Sequence, residues 1–143
     1  MSVEGNKASL LRNFEEIWNK KNLAMIPELI SPEYIGINAY GVFKGQDGYE
    51  QMAKSQTTNM PDLHYEVDEV VGEGDTLMAK LTVTGTYTGK FAGADISSKK
   101  IKGSMVLVNK YKDGKCVEST AFSNPLELLK QVGATIPPEW GMG

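Results

Sequence analysis

The stretch KDGKCVESTAFSNPLELLKQVGATIPP, residues 112–138, holds a turn, a strand and a capped helix in immediate succession. Lys112-Asp113-Gly114-Lys115 is hairpin chemistry between two apolar runs, because Asp and Gly tolerate the left-handed conformations of a tight turn. Cys116 to Ser123 then reads as a strand. Asn124 stands where a helix N-cap belongs, Pro125 at the first helical position and Glu127 three residues after the cap. Gly133 follows Val132 as a helix stop, with Pro137 and Pro138 beyond it.

Upstream of this unit the apolar pattern keeps a period of two. Leu63, Tyr65, Val67, Glu69 and Val71 alternate with His64, Glu66, Asp68 and Val70. The turn Gly72-Glu73-Gly74-Asp75 precedes a strand from Thr76 to about Thr88. A glycine-containing loop, Gly89 to Asp95, leads to a third long strand, Ile101 to Tyr111. Four long strands joined by hairpin signals predict an antiparallel sheet.

Before residue 61 the period is helical. Leu10, Leu11, Phe14, Ile17 and Trp18 make one apolar stripe over Lys7 to Lys21. Leu23 to Ile30 predicts a short second helix, limited by Pro27 and ended by Ser31-Pro32. Tyr34 to Asn38 reads as a short strand, and about Gln46 to Thr57 as a third helix. Helices segregated from an antiparallel sheet define the α+β class, with the first helix the natural cover for the concave sheet face.

The chain has 143 residues, 41% of them hydrophobic, and a formal charge of −3. That length predicts one domain, residues 1–143. The charge argues against nucleic acid or an anionic membrane as partner. A single cysteine, Cys116, makes no internal disulfide and suits a reducing compartment. One histidine and one cysteine leave no zinc cluster, so no metal site is expected. The N-terminus lacks the pattern of a signal peptide, and no apolar run reaches the ~20 residues of a membrane helix. These features predict a soluble, cytoplasmic protein.

Several motifs, in order, resemble the SnoaL-like polyketide cyclase family of the nuclear transport factor two-like (cystatin-like cone) superfamily. They are Ile17-Trp18-Asn19-Lys20-Lys21-Asn22, Gly45 opening the third helix, Met60-Pro61-Asp62-Leu63, Gly74-Asp75, Thr84-Gly85-Thr86-Tyr87-Thr88-Gly89, Asp113-Gly114-Lys115 and Leu128-Leu129-Lys130-Gln131-Val132-Gly133. The resemblance implies an α+β cone: a curled sheet packed on three N-terminal helices, with a short C-terminal helix. It further implies an apolar cavity, a homodimer formed through the sheet and no cofactor. In active members a cavity acid is held to serve an intramolecular aldol condensation. That acid aligns best with Asn124, and Tyr87 stands where the family usually carries histidine. An aromatic is common where Thr120 stands.

Asn124 is read first as a helix cap. An amide can orient a carbonyl but exchanges no proton near neutral pH, and general acid/base catalysis is worth roughly 10²–10⁴ in rate. Period two puts Cys116, Glu118, Thr120, Phe122 and Asn124 on one strand face. Glu118 is therefore either a desolvated reserve acid/base or a marginal Glu paired with Lys80 or Lys110. His64, the lone histidine, points away from the apolar side. Tyr87 is the best candidate to hydrogen-bond a ligand oxygen. Phe14, Trp18, Tyr34, Met52, Met60, Tyr65, Met105, Thr120 and Phe122 are the expected pocket wall. Three functions follow: a binder of a small, mainly apolar carbonyl compound descended from a cyclase, an active cyclase or isomerase using Glu118, or a dimerisation and interaction module.

Overall fold

The computed structural model describes residues 2–91 and 93–140. Helix α1, Val3–Arg12, begins at Ser2, whose hydroxyl accepts from the Gly5 amide at 3.0 Å. This satisfies one of the four orphan amides of a helix start. The chain continues without a break as a π-helix, Asn13–Asn19, in which the Lys20 amide reaches back five residues to the Glu15 carbonyl. The wider winding puts residues five apart on one side. Asn13 and Trp18 thus face the same side, and Phe14, Ile17 and Trp18 are all buried.

The second helix is shorter than its sequence pattern predicts. A 3-10 turn, Leu23–Met25, runs into α2, Ile26–Leu29, and Ile30 already belongs to strand β1, Ile30–Asn38. A hairpin joins β1 to β2, Gly41–Lys44, and α3 follows as Gly45–Asn59. The long strands are β3, His64–Glu73; β4, Thr76–Phe91; β5, Ala94–Lys112; and β6, Lys115–Ser123. Helix α4, Pro125–Val132, closes the unit predicted for residues 112–138. Its N-cap is Asn124, and Gly133 takes the left-handed C-terminal position with φ 75°.

Among the described residues six strands form one sheet in the order β2-β1-β6-β5-β4-β3. The chain is an α+β protein, with this sheet packed against the helices. Two features depart from the sequence reading. First, β1 and β6 run parallel, which needs a long crossover; here residues 39–114, about half of the chain, supply it, so no local signal announces the pairing. Second, the Gly89–Asp95 segment is no open loop. Pairing continues from Gly89↔Ile96 to Phe91↔Ala94, past an irregularity between Tyr87 and Gly89. The glycines there serve a kinked hairpin rather than breaking it.

The core lies between the concave sheet face and the first three helices, and includes Leu10, Ile17, Ile30, Leu77 and Leu81. Side-chain amides fasten the layers. Asn19 donates to the Tyr65 carbonyl at 2.9 Å and accepts from the Tyr65 amide at 2.8 Å, covering the start of edge strand β3. Gln131 of α4 does the same for Lys102 of β5, at 2.7 and 2.6 Å. A smaller cluster of Ile96, Ile101 and Val132 packs α4 against the β4–β5 hairpin.

Candidate binding cavity

Between the first helices and the sheet lies a cavity of about 130 Å³. Its wall begins with five aromatic rings. Phe14 and Trp18 come from the π-helical segment, Tyr34 from β1, Tyr49 from α3 and Tyr65 from β3. Ring centroids lie 5.1 Å apart for Tyr34–Tyr49, 5.2 Å for Phe14–Tyr65 and 5.3 Å for Trp18–Tyr65. Tilted and edge-on contacts at these distances lock the rings against one another. Gly36 makes the Tyr34 position possible, since a Cβ there would lie 2.8 Å from the Tyr34 ring.

The π winding also explains a buried polar knot in this wall. Trp18 Nε1 donates to the Tyr49 hydroxyl at 2.7 Å, and that hydroxyl donates to Asn13 Oδ1 at 2.9 Å. Asn13 and Trp18 are five residues apart and reach one acceptor-donor oxygen together. Burial, with Tyr34 nearby, pushes the Tyr49 phenol well above its ordinary pKa. Burial likewise raises Tyr34 and Tyr65. All three keep their protons at neutral pH.

Met52 and Met60 from α3 and its end, Met105 and Leu107 from β5, and Ala121 from β6 complete the apolar wall. The mouth lies where the parallel strands β1 and β6 both end. Asn38, which ends β1, and Tyr40 in the following turn line this region, as do Ser123, which ends β6, and Asn124, the N-cap of α4. Tyr40 is 69% exposed, so the cavity is open to solvent on this side. Among the described residues no Asp, Glu, His, Lys, Arg or Cys side chain lines it. No group of three potential metal-ligating side chains gathers elsewhere among them.

Of the residues expected from the sequence, the structure brings Phe14, Trp18, Tyr34, Met52, Met60, Tyr65, Met105 and Asn124 to this cavity. Glu118, Thr120 and Phe122 require correction. Opposite Lys110 and Tyr111 of β5 stand Glu118 and Cys116 of β6, so Val117 is an extra, unpaired residue. A bulge of this kind reverses which residues face inward. Cys116 is therefore buried, and beyond the bulge Ser119, Ala121 and Ser123 point to the cavity instead. Glu118 lies on the outer face, 3.4 Å from Lys110, the alternative already open to it. Phe122 is 61% exposed and pairs with Val106, also on the outer face.

Tyr87 is also displaced. Its hydroxyl donates to the Lys90 carbonyl at 2.7 Å, and its ring packs on Phe91. It belongs to the hairpin cluster, outside the cavity wall. His64 is exposed on the outer face opposite Thr84. The sequence reading missed Asn38, Tyr49, Gln56 and Ser119. Tyr49 lies within the predicted third helix and Asn38 at the end of a predicted strand, with no signal of a cavity role for either.

The sequence profile of SnoaL-like polyketide cyclases matches residues 8–132. The chain belongs to this family. Similar solved structures agree in fold. AclR from Streptomyces galilaeus, provisionally described as a hydroxylase, is 26% identical, covering 95% of this chain and 100% of its own, with a TM-score of 0.79. A protein of Jannaschia sp. CCS1, provisionally described as a SnoaL-like polyketide cyclase, is 22% identical over 95% and 98% of the two chains, with a TM-score of 0.82. TsrD from Streptomyces laurentii is 21% identical over 94% and 99%, with a TM-score of 0.83. No curated protein matches the sequence significantly. Among the described residues no helix is long and apolar enough to cross a membrane.

Proposed function

We propose that this SnoaL-like chain binds a small, mainly apolar carbonyl compound in its aromatic cavity and performs no acid/base chemistry on it. The observation that carries this reading is the wall itself: rings, methionines and neutral polar groups, with no carboxylate, imidazole, ammonium or thiol among the described lining residues. A general acid or base must reach the proton it moves. Glu118 sits on the other side of the sheet, and the wall tyrosines stay protonated. The volume is close to that of an apolar cavity that takes up benzene, ~150 Å³. A ring buried at the bottom would leave its carbonyl at the mouth, beside Asn124.

Acetophenone tests both halves. The expected outcome is saturable binding at one site, thermal stabilisation, and no acceleration of deuterium exchange at its methyl carbon. Protein-catalysed exchange would contradict the non-catalytic half, and absence of binding would contradict the other.

A second copy of the chain is the proposed occupant of the outer sheet face. Val71, Met78, Val106 and Phe122 are 43–61% exposed there; Glu69 and Lys80 share a cross-strand row with Val106 and Phe122, while Lys110 and Glu118 form a row beside that of Val71 and Met78. An apolar centre with both charges beside it suits a two-fold, self-complementary contact. Sedimentation of Phe122→Glu is expected to show monomer where the parent shows dimer; an unchanged parent-like mass would refute the assignment.

A further inference from the structure

Six aromatic side chains line the cavity, and five of them are locked. Phe14, Trp18, Tyr34, Tyr49 and Tyr65 are buried, and each has another of these rings 5.1–5.3 Å away. Tyr40 is the sixth. It is 69% exposed. Among the described residues its ring has no aromatic partner and its hydroxyl no hydrogen bond, and it packs into neither apolar cluster.

The backbone beneath this ring is held. Asn38 pairs with Gly41, so Ala39 and Tyr40 are the whole loop between β1 and β2. The Tyr40 amide donates to Asn38 Oδ1 at 2.8 Å, the side-chain bond by which Asn fixes a turn. What stays free is rotation of the side chain itself, which an exposed residue completes in picoseconds to nanoseconds. Desolvation raises the Tyr40 phenol pKa, and that phenol in turn raises those of Tyr65 and Tyr87. Its hydroxyl end therefore lies toward the cavity side while the flank of the ring faces water.

We infer that Tyr40 is a lid residue, whose ring stands aside from the mouth in this conformation and turns over it once a ligand fills the cavity. This rests on the ligand-binding reading above and adds how the ligand is retained. A ring swung across a hollow meets few atoms and gains little dispersion energy. Swung across an aromatic ligand, it gains a tilted or edge-on contact of the kind that locks the other five. The ligand thus interacts differently with the two ring positions, as a population shift requires. Such a lid governs retention: the open ring leaves entry clear, and release waits for the ring to swing back.

Acetophenone is the probe. With 3-fluorotyrosine at position 40, the fluorine NMR signal of the free protein is expected to broaden strongly when a soluble gadolinium chelate is added, and to be protected at saturating acetophenone. Line-shape analysis of an NMR titration is expected to show Tyr40→Ala releasing acetophenone about fivefold faster, the size of one aromatic contact. Its association rate is expected within twofold of the parent and its melting temperature within a few degrees, while Tyr40→Phe, which keeps the ring, behaves as the parent. If acetophenone binds but leaves the fluorine signal equally exposed, or if Tyr40→Ala releases it at the parent rate, the lid is refuted and the cavity reading survives. Association accelerated as much as release would also refute the lid, because the ring would then obstruct a mouth already shut. If acetophenone does not bind the parent, the proposed function falls and this inference with it.

Discussion

Replacing Tyr49 by Phe removes one oxygen and strands two partners. The Tyr49 side chain is 4% exposed, and its hydroxyl joins Trp18 Nε1 at 2.7 Å to Asn13 Oδ1 at 2.9 Å. Phe keeps the ring contacts with Trp18 and Tyr34 at 6.0 and 5.1 Å, so little packing changes. What remains is a buried indole N–H and a buried amide oxygen, each left unpaired at roughly 1–3 kcal/mol. Water entering from the cavity can rescue part of this, which sets the expected loss at about 2–4 kcal/mol. For a chain of this size that lowers the melting temperature by roughly 5–15 °C. Calorimetric and urea unfolding measure it directly. Asn13→Leu in the same background removes the stranded acceptor and is expected to recover part of the loss, a coupling that a double-mutant cycle isolates. A Tyr49→Phe variant within about 0.5 kcal/mol of the parent would refute the account of the π-helical knot.

Three further outcomes follow from other parts of the structure. Gly36→Ala is expected to cost roughly 1–3 kcal/mol in unfolding experiments and to weaken acetophenone, because the new Cβ drives the Tyr34 ring toward the cavity. Glu118→Gln is expected to leave both stability and ligand affinity nearly unchanged, since an exposed pair with Lys110 is worth about 0–1 kcal/mol; a tenfold loss of affinity would return Glu118 to the site. Asp62 accepts from the Thr86 amide and hydroxyl, both at 2.8 Å, which lowers its pKa in the folded state. Its contribution is thus present above the unfolded-state carboxylate pKa and lost as pH falls through the lower folded value. Asp62→Asn is expected to flatten the acid limb of stability against pH, and an identical limb would contradict this.

The parts of this fold that the sequence displayed were those set by neighbouring residues. The Asp113-Gly114 turn, the Asn124-Pro125 helix start and the Gly133 stop each depend on a few dihedrals that particular residues favour, and each stands where it was read. The family resemblance then supplied the cone and its cavity, and the aromatic stripe of the first helix indeed faces it. What stayed hidden was set at a distance. Nothing near Val117 signals a bulge, yet that one residue moves Glu118, Thr120 and Phe122 outward and brings Ser119 and Ala121 inward. The parallel β1–β6 pair joins segments separated by about half of the chain, so Asn38 and Asn124 could not be recognised as lining one cavity. The π winding that unites Asn13, Trp18 and Tyr49 departs from the helical period on which the sequence reading relied.

The central claim is that the hollow between sheet and helices takes up a small apolar carbonyl compound. Ala121→Leu tests it most directly, because the added side chain enters the hollow from β6 without touching the helix cap or the outer face. Titration of acetophenone into the two proteins is predicted to give one-site binding to the parent and none to Ala121→Leu, which melts at or above the parent temperature. Equal binding by both would contradict the claim, because the ligand would then lie elsewhere.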